Sequence, residues 1–142
     1  MFTLLVNDDE LGKIHKSIFP EINDRNGIFG QKALWYGIRL DTNELIAFCT
    51  IGIIDQNKIF LYNVGVCQNF RRKGYGKQMM DNIIKLYEKY DIYLFVHNEN
   101  QSAILLYQKY QFKRVNYVYV PPPGHICMKR GNIGSPKPPH II

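Results

Sequence analysis

Val66-Cys67-Gln68-Asn69-Phe70-Arg71-Arg72-Lys73-Gly74-Tyr75-Gly76 is the stretch around which the chain is organised. An apolar run with strand chemistry, Ile59 to Val66, leads into it. A helical pattern leaves it: Tyr75, Met79, Met80, Ile83, Ile84, Tyr87 and Tyr90 recur at a period of about 3.6. The stretch is therefore a strand-to-helix turn carrying Gly74, Gly76 and four cations, Arg71, Arg72, Lys73 and Lys77. The first turn of a helix leaves backbone N–H groups unpaired, and the helix dipole is positive there. Glycines remove the Cβ atoms that would hold a ligand off the backbone. Together these make an anion site suited to a pyrophosphate. A Walker loop needs G-x-x-x-x-G-K-[ST], which does not occur here. The dinucleotide fingerprint needs a third glycine where Met79 stands. On composition alone, a basic surface turn before an ordinary helix reads the same way.

Arg71-x-x-Gly74-x-Gly76 resembles the R/Q-x-x-G-x-G/A motif of the GNAT superfamily of N-acetyltransferases. A second segment, Asn100-Gln101-Ser102-Ala103-Ile104-Leu105-Leu106-Tyr107-Gln108-Lys109-Tyr110-Gln111-Phe112, resembles that family's N-x-x-A-x-x-L-Y-x-x-x-G-F signature. It follows a second strand pattern, Ile92 to Val96. The resemblance runs from about Ala33 to Arg130 and is nearest in pattern to the protein N-terminal and ribosomal-protein alanine acetyltransferases. One departure is plain: Gln111 stands where the family has glycine. That glycine ends the helix in a left-handed conformation. Glutamine adopts it only at a cost, so the turn there is free to differ.

The chain's other properties bound this reading. At 142 residues, 46% hydrophobic and 21% charged, it has the size and composition of one globular domain. No apolar run reaches the roughly 20 residues a membrane span needs. The start, Met1 to Asp9, lacks a basic region and turns acidic early, unlike a signal peptide. Cys49, Cys67 and Cys127 are an odd number without C-x-x-C spacing, which suits reduced thiols and a cytoplasmic location. The histidines at 15, 97, 125 and 140 show no metal-ligand spacing, so no metal is expected. A net charge of +6 suits a phosphorylated cofactor, an acidic acceptor or nucleic acid. Nucleic acid is the weaker choice, because the aromatics fall at core spacings and no RNA- or DNA-binding signature is present.

Strand patterns appear at Phe2–Val6, Ala33–Leu40, Leu45–Ile54, Lys58–Val66, Asp91–His97, Phe112–Val120 and His125–Lys129. Asp41 to Glu44 and Asp55 to Asn57 are turn segments, so three antiparallel strands should precede the glycine loop. The long helix then makes a crossover, and the strand after it should lie parallel to Lys58–Val66. The expected fold is a single-domain α/β GNAT fold. Its sheet is mixed, mainly antiparallel, with six or seven strands and helices on both faces. Residues 1–130 would form the N-acetyltransferase domain. Residues 131–142, rich in glycine and proline, would form a C-terminal tail.

The resemblance implies acetyl-CoA as co-substrate and a primary amine as acceptor, with a protein or peptide N-terminus among the candidates. It assigns Val64, Gly65 and Val66 to the pantetheine arm and the thioester oxygen. It assigns Arg71, Arg72, Lys73, Gly74, Tyr75, Gly76 and Lys77 to the pyrophosphate. Asn100 would contact the pantetheine amides, cap the following helix, or both. Tyr107 is the candidate general acid, since a phenol of pKa about 10 matches a departing alkyl thiolate. A core tyrosine on an apolar helix face is the plainer account of it. The family's usual base positions hold Phe60 and Phe95, which take no proton. Two residues onward on the same strand faces stand Tyr62 and His97. His97, with a reference pKa of about 6.5, is the candidate base, though a polar residue at a strand end is the plainer account of it, and a water relay or an amine that arrives neutral would do without it. Nothing in the sequence activates Cys67 as a nucleophile. Tyr117 and Tyr119 are placed to flank an entering peptide. A catalytically weak CoA-binding or nucleic-acid-binding protein on the same fold is the alternative.

Overall fold

Two tight turns set up the central strands. Asn43 takes a left-handed φ of 71° in the first, where its N–H meets the Leu40 carbonyl at 2.8 Å. In the second, the Asp55 side chain accepts from the Asn57 N–H at 2.9 Å. The computed structural model describes residues 1–5, 9–18, 33–116 and 120–131. In chain order the elements are β1 (Phe2–Leu5), α1 (Asp9–Ile18), β2 (Ala33–Arg39), β3 (Leu45–Asp55) and β4 (Lys58–Val66). After a 3-10 turn at Gln68–Phe70 come α2 (Tyr75–Leu86), β5 (Asp91–His97), α3 (Gln101–Lys109), β6 (Lys113–Val115) and β7 (His125–Arg130).

The seven strands form one sheet in the order β1-β2-β3-β4-β5-β7-β6. Every neighbouring pair is antiparallel except β4 and β5, which are parallel, as the helical crossover demands. β3 to β5 are apolar on both sides because both sides are covered. On one face Met79, Met80 and Ile83 of α2 pack with Cys49, Ile51, Ile59, Leu61 and Leu94. On the other, Leu11 of α1 packs with Trp35, Leu45 and Phe48. A third cluster, Phe60, Tyr93 and Cys127, continues along that second face. Met79 is 1% exposed, so the position where a dinucleotide fingerprint would need glycine is core. Emptying it would cost about 2–5 kcal/mol.

β4 departs from a regular ladder in two places. Its pairing with β3 slips between Phe48↔Gly65 and Thr50↔Tyr62, so β4 carries an extra residue there as a bulge. Its pairing with β5 covers only Lys58–Phe60 against Asp91–Tyr93, although β4 runs on to Val66 and β5 to His97.

One expectation is corrected. Of the strand expected over Phe112–Val120, the described residues form β6, Lys113–Val115. Phe112 belongs to the turn that closes α3, and Asn116 is a bend. Tyr117 and Tyr119 lie outside the described residues, as does the expected tail beyond Gly131. Among the described residues no helix is long and apolar enough to cross a membrane.

Candidate active site

The glycine loop is held from below and open above. Phe70 and Tyr75 pack their rings edge to face at 6.2 Å and rest on the main core. Arg71 Nε donates to the Val66 carbonyl at 3.0 Å, tying the loop back to the end of β4. Lys73 sits over the Phe70 ring, 5.7 Å from its centroid. Arg71, Arg72, Lys73 and Gly74 are exposed; Tyr75 and Gly76 are half-buried. The backbone is left-handed at Arg72 (φ 62°) and at Gly74 (φ 88°). Gly74 is the N-cap of α2, and no side chain caps that helix. Its first-turn N–H groups are thus left to a ligand or solvent.

A Cβ built on Gly76 meets nothing within 4 Å. Packing inside the chain therefore does not call for glycine at 76. The missing Cβ leaves room for an anion to approach the helix N-terminus. Lys77 is engaged locally, 3.1 Å from Asp81 one turn on. Asp81 in turn accepts from the Tyr110 hydroxyl at 2.7 Å, which links α2 to the end of α3. That hydrogen bond, then the one from Lys77, holds the Asp81 carboxyl below its ordinary range.

Beyond Phe60 the β4 and β5 edges that face each other no longer pair. An extended ligand can add to such an edge as a strand does. Val64, Gly65 and Val66 lie on this length of β4, with Gly65 buried and paired to Phe48 on the β3 side. The bulge between Tyr62 and Gly65 re-aims the backbone there.

Asn100 caps α3: its side-chain oxygen accepts from the Ala103 N–H at 3.2 Å. Tyr107 sits two turns on, half-buried, with its ring 5.8 Å from Phe112. Burial pushes its phenol pKa above the ordinary value. Gln111 is left-handed, φ 71°, so the turn that the family makes with glycine is kept.

Phe60 and Phe95 stack edge to face with centroids 4.7 Å apart on the face opposite α2. His97 ends β5 and is exposed. Its Nδ1 accepts from the Glu99 N–H at 3.2 Å, so that lone pair is engaged. The residue that sequence reasoning passed over is His125, which stands opposite His97 in the β5–β7 ladder. Its only signal is strand register, which linear spacing does not carry. Burial raises the Cys67 thiol pKa, with the Glu44 charge adding to it, so its surroundings disfavour the thiolate a nucleophile needs.

The model of the acetyltransferase (GNAT) family matches residues 6–112. Over 63 residues the chain is 35% identical to N-alpha-acetyltransferase 50 of Danio rerio, a match covering 42% of this chain and 38% of that protein. The chain thus spans well under half the length of that curated relative. The ribosomal-protein alanine N-acetyltransferase of Escherichia coli superposes with a TM-score of 0.71 at 20% identity, over 91% of each chain. NAA60 of Arabidopsis thaliana, solved with a bisubstrate analogue, superposes with a TM-score of 0.68 at 21% identity, over 92% of this chain and 96% of that one. At these identities the superpositions speak to fold.

Proposed function

The chain belongs to the GNAT acetyltransferase family, and on that premise we propose that it moves an acetyl group from acetyl-CoA to a primary amine. The single observation that carries the reading is the juxtaposition at the end of β4. An uncapped helix N-terminus with a glycine of no packing use stands beside a strand edge that has lost its partner. The first suits the pyrophosphate and the second the pantetheine arm. Backbone N–H groups near the Gly65 bulge would meet the thioester oxygen. Asn100 has its side-chain oxygen on the helix cap, which leaves its amide N–H₂ for the arm.

Tyr107 would return a proton to the departing thiolate. Its raised pKa keeps it protonated at neutral pH, as an acid must be. Proton acceptance falls to the histidine end of β5, where His97 is the residue the sequence points to. The acceptor we favour is a peptide or protein α-amine, because the half-buried Phe95, packed edge to face on the buried Phe60, is apolar. Three free thiols, two of them buried, support placing the protein in the cytoplasm.

Turnover of acetyl-CoA with peptide N-termini, lysine peptides, polyamines and aminoglycosides tests the reading. Transfer to any of these supports it. Binding of CoA with no transfer to any amine would leave the alternative of a non-catalytic binder, which the phenylalanines at 60 and 95 favour.

A further inference from the structure

His97 and His125 face each other across the β5–β7 ladder, and their rings meet edge to face with centroids 5.1 Å apart. The backbone sets a different tautomer on each. Glu99 N–H can only donate, and it donates to His97 Nδ1 at 3.2 Å. In neutral His97 the proton is therefore on Nε2. His125 Nδ1 lies 3.0 Å from the Pro123 carbonyl oxygen. A carbonyl can only accept, so Nδ1 of His125 carries the proton and Nε2 keeps its lone pair.

We propose that His125 is the general base of the transfer and that His97 is a positioning residue beside it. The proposal rests on the acetyltransferase reading above. A base needs a free lone pair and a fixed ring, and His125 has both. Taking a proton at Nε2 leaves its Nδ1–H bond to Pro123 intact and strengthens it by charge. His97 must instead take its proton at Nδ1, where the Glu99 N–H already points.

Placement agrees. Strand alternation puts Phe60 of β4 and Phe95 and His97 of β5 on one face, and the register sets Cys127 opposite Phe95 and His125 opposite His97. Past the two phenylalanines, which accept no proton, the next groups along β5 and β7 are these imidazoles. A Cβ at Gly124, whose φ is 76°, would lie 3.4 Å from His97 Nε2, so a larger residue there would press on the ring. Farther down the same face of β7 lies Lys129, with Lys113 of β6 opposite it in the ladder. Lys129 is engaged by Asp91 at 3.7 Å.

The step balances. The amine nitrogen attacks the thioester carbonyl carbon; a C–N bond forms and the C–S bond breaks. The amine proton passes to His125 Nε2, directly or through one water. The thiolate takes the Tyr107 proton, and solvent returns a proton from His125 to the phenolate.

The test compares His125→Gln and His97→Gln in the full chain, with acetyl-CoA and a peptide bearing a free N-terminus. His125→Gln should lower kcat about a hundredfold and remove the acidic limb of the kcat/KM–pH profile, while CoA still raises the melting temperature. In His125→Ala, added imidazole should restore part of the rate. His97→Gln should keep the acidic limb and lose less than about tenfold. Ring ¹⁵N shifts of the wild type give a check independent of turnover and of variant folding: Nδ1–H for His125, Nε2–H for His97. Reversed tautomers, or an acidic limb unchanged in His125→Gln, overturn the proposal. A wild type that acetylates no amine overturns the parent reading and this one with it.

Discussion

The Phe112 N–H donates to the Tyr107 carbonyl at 3.0 Å, and the two rings lie 5.8 Å apart. With Gln111 N–H on the Gln108 carbonyl at 2.9 Å, this is a Schellman ending of α3, complete with its apolar contact. The segment that resembles L-Y-x-x-x-G-F is thus a helix stop: Tyr107 and Phe112 are the two residues that close it. Gln111 occupies the left-handed position, where a side chain costs roughly 1–2 kcal/mol. Glycine's greater freedom in the unfolded chain offsets part of that. Gln111→Gly should therefore stabilise the fold by about 0.5–1 kcal/mol, and Gln111→Val should destabilise it, both read from denaturant midpoints. A destabilised glycine variant would mean the left-handed turn is not there.

At the glycine loop, Gly76→Ala is the sharpest probe. Its Cβ meets no atom outside its own helical turn within 4 Å, and alanine is favoured over glycine in a helix by up to about 1 kcal/mol, so the melting temperature without ligand should hold or rise slightly. Acetyl-CoA at a hundredfold excess over Kd should add about 2.7 kcal/mol to the wild type. That gain should be lost in Gly76→Val and reduced in Gly76→Ala. NAD stabilising the wild type as well as acetyl-CoA does would remove the cofactor assignment.

Tyr107→Phe deletes one oxygen from a half-buried ring and should leave the fold intact. Turnover should fall about a hundredfold, with the KM for acetyl-CoA little changed. Burial raises this phenol above its ordinary pKa, so activity should be lost only as the pH rises past about 10. Full turnover in the phenylalanine variant would return Tyr107 to a purely structural role.

Asp81 and Tyr110 make a linkage prediction. The Asp81 pKa is lowered in the folded state, first by the Tyr110 hydroxyl, so its contribution is present above the ordinary carboxyl range and vanishes as the pH falls below about 4. The Tyr110 pKa is pushed up to about 12, mainly by burial, so its contribution holds below about 10 and fades as the pH rises through 12. Tyr110→Phe should cost about 1 kcal/mol at neutral pH. The difference from wild type should shrink toward both extremes. A gap that is flat from pH 3 to 11 would sever the link between hydroxyl and carboxylate.

β4 and the start of α2 were legible to the residue because turn chemistry brackets them, Asp55 to Asn57 before the strand and Gly74 between strand and helix, whereas the helical pattern ran on to Tyr90, past the end of α2 at Leu86. The shortness of β6 was not legible. Phe112 is apolar at a strand-like position, and only the hydrogen bond to Tyr107 shows that it serves the helix end. The β4 bulge left no mark beyond Gly65, because an extra residue in a ladder depends on the partner strand's register. The His97–His125 pair was invisible for the same reason. It arises where Pro121 to Gly124 turns the chain back, with the Gly124 carbonyl accepting from Asn98 N–H at 2.8 Å. Local propensity marks such a return without fixing which residues it brings opposite one another.

The proposed acceptor rests on the apolar ring of Phe95 near the two histidines. Phe95 is half-buried over a fully buried core of Phe60, Tyr93 and Cys127, and its ring offers an ammonium ion little to replace water. Burying a charge there without a partner is costly, so the amine has to be neutral when it reaches the thioester. An α-amino group, pKa about 7.7–8.0, sheds its proton near neutral pH; a lysine amine, at about 10.4, holds it. At pH 7 that difference leaves roughly two to three orders of magnitude more neutral α-amine at equal concentration. We therefore expect a short peptide with a free N-terminus to be acetylated much faster than the same peptide N-blocked with an internal lysine. The gap should narrow as the pH rises toward 10, because the lysine then deprotonates. Phe95→Glu should erode the preference by giving an ammonium a partner. Initial rates on the two peptides from pH 7 to 9.5 decide it: a faster lysine peptide at neutral pH, or activity confined to polyamines, would overturn the acceptor assignment while leaving that of the cofactor in place.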